Sequence, residues 1–92
     1  MNKGELIDAV ARNTGESKAT AAKVIDETLD VIVGGVVTQG KVPITGFGTF
    51  EARDRKARIA RNPQTGAEVP VPATRVPAFK AGKAFKDQVK PG

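Results

Sequence analysis

The sequence predicts an α+β fold: two N-terminal helices, a set of strands that runs out into a long β-ribbon, and a short C-terminal helix. Three observations carry this. Apolar residues recur at helical spacing through the first forty positions. After Gly40 the spacing changes to short strand-like runs separated by turns. The stretch "ARIARNPQTGAEVPVPATR", Ala57 to Arg75, has three prolines, three scattered large apolar residues and no aromatic residue. Nothing in it can build a core.

The elements follow in order. Asn2 followed by Glu5 resembles a capping box, and Leu6, Ile7, Val10 and Ala11 carry helix 1 from Lys3 to about Asn13. Gly15 is its left-handed stop. Ser17 is a favourable N-cap for helix 2. Its stripe of Ala21, Val24, Ile25, Thr28, Leu29, Ile32, Val36 and Val37 extends to about Thr38, with Gly40 as the stop. Gly34 and Gly35 inside it each cost about 1 kcal/mol against Ala. They mark either a close approach by another element or a weak helix end.

Lys41 to Ile44 is a short strand, "TG" turns the chain, and a second strand starts at Phe47. Pro43 lacks an N–H, so its strand belongs at an edge. Phe47, Phe50, Phe79 and Phe85 are all the aromatic residues and are assigned to the core. The second strand is expected to continue through "RDRKARIAR", basic on both faces and therefore wet or coated by something anionic. "NPQTG", Asn62 to Gly66, is the turn. On the return strand Pro70 and Pro72 share parity, so both can face the free edge, where they block further strands. Ten-residue limbs at about 3.3 Å per residue would reach about 30 Å. Gly82 precedes a last helix from Lys83 to Val89.

The 92 residues form one expected domain, 1–92: a helical base over 1–40, then sheet and C-terminal helix over 41–92, with the arm at about 53–75. With the arm outside the core, about seventy residues remain, a size that usually needs a staple or a partner subunit. There is no Cys and no His, so no disulfide and no metal site is expected, and a partner subunit is the remaining route. No run approaches the roughly 20 apolar residues of a membrane span, and "MNKGELIDAV" lacks a secretory h-region. An intracellular, cytoplasmic protein is expected.

Catalysis is poorly supported, because His, Cys, Tyr and Trp are all absent. "GFGTFE" has the outline of a dinucleotide fingerprint, but Glu51 stands where the third glycine belongs. "PAFKAGKA" has the outline of a P-loop, but Pro77 replaces its first glycine and Ala84 its Ser or Thr. No enzyme, cofactor or small-molecule substrate is expected.

Charge points to a polyanion instead. Residues 1–50 carry five basic and six acidic side chains, and residues 51–92 carry ten and four. Arg53, Arg55, Lys56, Arg58 and Arg61 fall within nine residues of the ribbon, and Lys80, Lys83 and Lys86 surround the last helix start. A charge run alone is weak support. On a coreless hairpin it is stronger, because burial does not explain the hairpin.

"TGFGTFEARDRKARIARNPQTG", followed by "VPATRVPAFKAGKAFKDQV" and preceded by "MNKGELIDAVA", resembles the bacterial HU family of histone-like DNA-binding proteins over nearly the whole chain. Integration host factor is a close cousin. The resemblance implies an intertwined homodimer, a three-stranded antiparallel sheet over a helical base, and two β-arms around double-stranded DNA. It implies bending and compaction of duplex in the nucleoid with little sequence preference, and no enzymatic activity. A heterodimer with a paralogue is the alternative assembly.

By the same resemblance Arg55, Arg58 and Arg61 line the arm in the minor groove, with Arg53 nearer its root; Lys56 and Arg75 are counted with the arm's DNA contacts, and pairing with Glu51 or Glu68 is the equal alternative for Arg75. Pro63 wedges between base pairs, flanked by Asn62 and Gln64. Lys3, Gly46, Lys80, Lys83 and Lys86 meet phosphates along the body, and Phe47, Phe50 and Phe79 form the dimer core. The rival readings are an RNA-binding protein and a membrane-surface protein. The second is weaker, since the basic ribbon has no apolar insertion face.

Overall fold

The computed structural model describes all 92 residues, Met1–Gly92. Its elements are α1 (Lys3–Thr14), α2 (Lys18–Gln39), β1 (Lys41–Ile44), β2 (Gly48–Arg55), β3 (Arg58–Arg61), β4 (Glu68–Val71), β5 (Thr74–Ala81) and α3 (Lys83–Val89). The chain divides into two compact units, Met1–Gly34 and Gly35–Gly92, with the division inside α2.

In the first unit the helix ends are capped locally, although only the Asn2 half of the expected capping box forms. The Asn2 side chain accepts a hydrogen bond from the Glu5 N–H at 2.9 Å. Gly15, at φ 75°, donates to the Ala11 carbonyl. Ser17 Oγ accepts from the Thr20 N–H at 3.1 Å, so one orphan donor of α2 is satisfied. Ala11 and Ala21 are buried and are the whole buried apolar core of the chain. The larger apolar residues of α2 stay outside: Val24 is 57% exposed and Val31 63%.

The second unit holds a three-stranded antiparallel sheet in the order β1-β2-β5 and a two-stranded ribbon, β3-β4. Pro43 lies on the edge strand β1 opposite Thr49. All four phenylalanines meet near the sheet. Ring centroids lie 4.7 Å apart for Phe50–Phe79 and 5.2 Å apart for both Phe47–Phe79 and Phe47–Phe85. Tilted pairs at these distances are favourable for aromatic rings. The cluster is nevertheless open, with Phe47 41% and Phe79 39% exposed.

The long strand expected from Phe47 through Arg61 is broken. β2 pairs with β5 as far as Arg55 opposite Thr74, and pairing resumes at Arg58 opposite Val71. Lys56–Ala57 and Pro72–Ala73 lie unpaired between the two ladders, so Pro72 sits in the gap and not on the strand edge assigned to it. Proline parity explains the break. The Gly82 N–H donates to the Phe47 carbonyl, and the Ala52 N–H to the Gly40 carbonyl. Antiparallel bonds alternate, so odd residues of β2 bond to β5 and even ones to β1. In the ribbon the Asn62 N–H donates to the Ala67 carbonyl, so there the even residues bond.

Pro77 faces Ala52 and Pro70 faces Ile59. Both prolines thus occupy positions where no N–H is needed. Their numbers differ in parity, so one uninterrupted ladder would force one of them onto a bonding position. The gap is where the alternation changes phase.

Two glycines can be tested against each other. A Cβ on Gly48 would lie 2.5 Å from Phe79 Cζ and 2.6 Å from the Lys80 carbonyl oxygen, whereas one on Gly34 would meet nothing within 4 Å. Gly48→Ala should therefore destabilise the fold by about 1–3 kcal/mol through overpacking against backbone. Where no second copy packs on Gly34, Gly34→Ala should stabilise the fold by up to about 1 kcal/mol through helix propensity. Chemical denaturation of the two variants checks the opposite signs.

Candidate nucleic-acid interface

The basic side chains differ sharply in what already holds them. Arg53 and Glu51 sit two apart on β2 and therefore on one face. Arg53 Nη2 lies 2.9 Å and Nε 3.1 Å from Glu51 Oε1. The Arg53 hydrogen bond holds the Glu51 carboxyl below the usual carboxylate range, helped by the charges of Arg53, Lys41 and Lys80. Arg53 is thus partly neutralised at the arm root. Arg55, Lys56 and Arg58 are exposed and make no ion pair. Lys56 falls in the ladder gap, with Arg55 and Arg58 on either side of it. Three unpaired cations thus gather at the break between the sheet and the ribbon.

Towards the tip the backbone is well satisfied without a core. Arg61 Nη1 donates to the Gly66 carbonyl at 3.1 Å, and its Nη2 lies 3.8 Å from Glu68, its cross-strand partner. Asn62 Oδ1 accepts from the Gln64 N–H at 2.8 Å, and the Asn62 carbonyl accepts from the Gly66 N–H at 2.8 Å. Gly66 takes φ 72°, a left-handed value that glycine adopts at no steric cost. Thr65 Oγ1 accepts from the Ala67 N–H at 3.2 Å. This turn leaves Pro63 and Gln64 exposed. Pro63 carries no N–H to satisfy, so its ring forms a rigid apolar end on a hydrogen-bonded base.

On the body, Lys80 and Lys86 are exposed and unpaired, while Lys83 Nζ lies 2.8 Å from Asp87 one helical turn on. Gly46, at φ 81°, is the third residue of a turn closed by the Phe47 N–H on the Ile44 carbonyl, which is type II geometry. Lys3 belongs to the other unit and pairs with Asp26.

Arg75 behaves differently from the other arm residues. It faces Asp54 across the β2–β5 ladder, with Nε 4.0 Å from Asp54 Oδ1. Its Nη1 and Nη2 reach the Val37 and Val36 carbonyls at 3.3 and 3.5 Å. The last turn of α2 has no basic residue of its own. That lack is the one sequence signal that a cation from elsewhere completes this helix end.

The arrangement joins a coreless, cation-bearing ribbon with a rigid apolar tip to a body carrying further cations. The profile of the Bacterial DNA-binding protein family matches residues 1–90. The chain belongs to this family. DNA-binding protein HU of Geobacillus stearothermophilus is 54% identical over 90 residues, covering 98% of this chain and all of that protein. DNA-binding protein HU 1 of Bacillus subtilis is 52% identical over 89 residues, covering 97% of each chain. Among solved structures, an Anabaena HU–DNA cocrystal structure superposes with a TM-score of 0.90 at 50% identity, with full coverage of both chains. HU from Thermotoga maritima gives 0.69 at 36% identity, covering 98% of this chain and all of that one. The HU-like fold expected from the sequence is therefore the fold of this family member.

If the tip stands on its own hydrogen bonds, it should loosen by itself. Asn62→Ala removes the acceptor for Gln64, a bond worth about 0.5–1.5 kcal/mol. Amide exchange at Gln64 and Gly66 should quicken by about threefold to tenfold, while the global thermal midpoint stays within about 2 °C of the parent. Residue-resolved hydrogen exchange measures both.

Proposed function

We propose that the chain is a histone-like protein of the bacterial nucleoid. It acts as a homodimer, binds double-stranded DNA with little regard for sequence, bends it, and catalyses no reaction. One observation carries this reading: a basic ribbon that no core explains, in a chain matching HU proteins end to end, one of them solved with DNA.

Arg55, Lys56, Arg58 and Arg61 follow the minor groove, with Arg53 at the root. Minor-groove edges distinguish base pairs poorly, which accounts for low sequence preference. Pro63 enters a base step, with Asn62 and Gln64 beside it. Wedges of this kind are a device of the family's architectural proteins, and unstacking at a few kcal/mol per step is offset by the contacts a bent duplex allows. Gly46, Lys80, Lys83 and Lys86 meet phosphates on the body, and Lys3 does so on its own unit. Lys3 and Lys83 exchange Asp26 and Asp87 for phosphate. Exposed pairs are worth about 0–1 kcal/mol, so this exchange costs little.

Binding should weaken steeply with salt. If about 6–10 phosphates are neutralised, affinity falls by about 10³–10⁵ between 50 and 200 mM salt. Fluorescence anisotropy on duplexes of unrelated sequence measures this, and a log–log slope shallower than about −2 would count against the reading. Arg58→Ala should weaken binding to all these duplexes alike, leaving folding intact because the residue is exposed.

Pro63→Ala should keep most of the salt-dependent affinity but reduce bending, together with the preference for nicked over intact duplex. Energy transfer across a short doubly labelled duplex reads the bend. A variant that bends intact DNA as sharply as the parent would leave the arm as an electrostatic clamp without a wedge.

A further inference from the structure

We infer that Arg75 is a positioning residue that fixes the direction of the arm, and that it is not one of the arm's phosphate contacts. The inference rests on the DNA-binding reading above. Every other basic residue of the arm points its charge at solvent or at a neighbour on its own ribbon. Arg75 alone reaches a helix as well as a strand. Its guanidinium bridges the Val36 and Val37 carbonyls of α2 and leans on Asp54 across the ladder.

The place matters as much as the contacts. Arg75 is the second residue of β5, and the unpaired Pro72–Ala73 segment lies just before it. Beyond that gap no ladder bond ties the ribbon to the sheet. Arg75 and its partner Asp54 are thus in the last stretch of paired strand before the break. The α2 end they meet is also tightly made. Gly40 turns the chain at φ 81° with its N–H on the Val36 carbonyl. A Cβ added there would sit 3.6 Å from Arg75 Nη2. Carbonyls at a helix C-terminus carry partial negative charge and attract a cation. A planar fork can serve two of them while keeping one direction, and an ammonium on a flexible stem cannot. A phosphate would have to draw the guanidinium away from these carbonyls and release the arm root at the moment of bending.

Charge and fork can be separated. The parent, Arg75→Lys and Arg75→Ala are titrated onto a doubly labelled duplex at several salt concentrations, with energy transfer reporting the bend of the bound state. Both variants should keep the parent's log–log salt slope to within about 0.5, because no phosphate contact is lost. Both should bend less and over a broader range of angles, and Lys should not rescue Ala.

A slope shallower by about 0.9 per arm in Arg75→Ala, with slope and bend restored in Arg75→Lys, would make Arg75 a phosphate contact and overturn the inference. Variants that match the parent in slope and bend would overturn it as well. Should either variant fail to fold, the parent decides by its own Arg75 Nε–H resonance. That signal should stay in place when duplex is added while the Arg58 signal moves, and equal movement of both refutes the assignment. A parent that neither binds nor bends duplex overturns the DNA-binding reading and this role with it, whereas parent-like variants overturn this role alone.

Discussion

The rest of the structure depends on one constraint: a single chain does not enclose its own apolar surface. Two alanines are its buried core, and no large side chain is fully buried. A domain of this size without Cys has no disulfide to hold it, and folding must offset roughly 1–2 kcal/mol of backbone entropy per ordered residue. The exposed valines and leucine of α2 and the open phenylalanine cluster supply what a second copy would cover. Burial of apolar surface contributes about 25 cal/mol per Å², so the partner's face is as much a part of the fold as the chain's own helices. The homodimer of the HU family is the assembly this surface fits.

That constraint also separates two ways of holding shape. The body relies on side chains whose burial a partner completes. The arm, with Ile59 62% and Val69 44% exposed, relies on ladder bonds and a turn whose donors and acceptors are matched internally. A ribbon built this way keeps its form without a core beneath it. Its cations can then stay unpaired, because they are not needed to satisfy anything buried. Acidic partners stand at the two ends of the arm, Glu51 and Asp54 at the root and Glu68 near the tip, and Asp87 pairs with Lys83 on α3. The middle of the arm is left bare.

Much of this was legible in the sequence because it is local. Asn2, Gly15, Ser17 and Gly40 each mark a helix end by chemistry contained within four residues, and the C-terminal helix runs from Lys83 to Val89 as its pattern requires. The basic ribbon and its turn were legible for the same reason. The ladder gap was not, although the parity clash between Pro70 and Pro77 stands in the sequence. Seeing it requires the register of two strands, which is a long-range property. Gly34 and Gly35 look alike in the sequence, yet an added Cβ is crowded only at Gly35, 2.7 Å from Val42 Cγ2. Arg75 reads as one more arm cation because its α2 partners lie 38 and 39 residues away.

The central claim, that a second copy completes the fold, is tested most directly by the thermal midpoint measured over a hundredfold range of protein concentration, with sedimentation run alongside. Mass action requires the midpoint of an obligate dimer to rise with concentration, by several degrees over this range, and the folded species to sediment at twice the chain mass. A midpoint independent of concentration, together with a folded monomer in sedimentation, would contradict it.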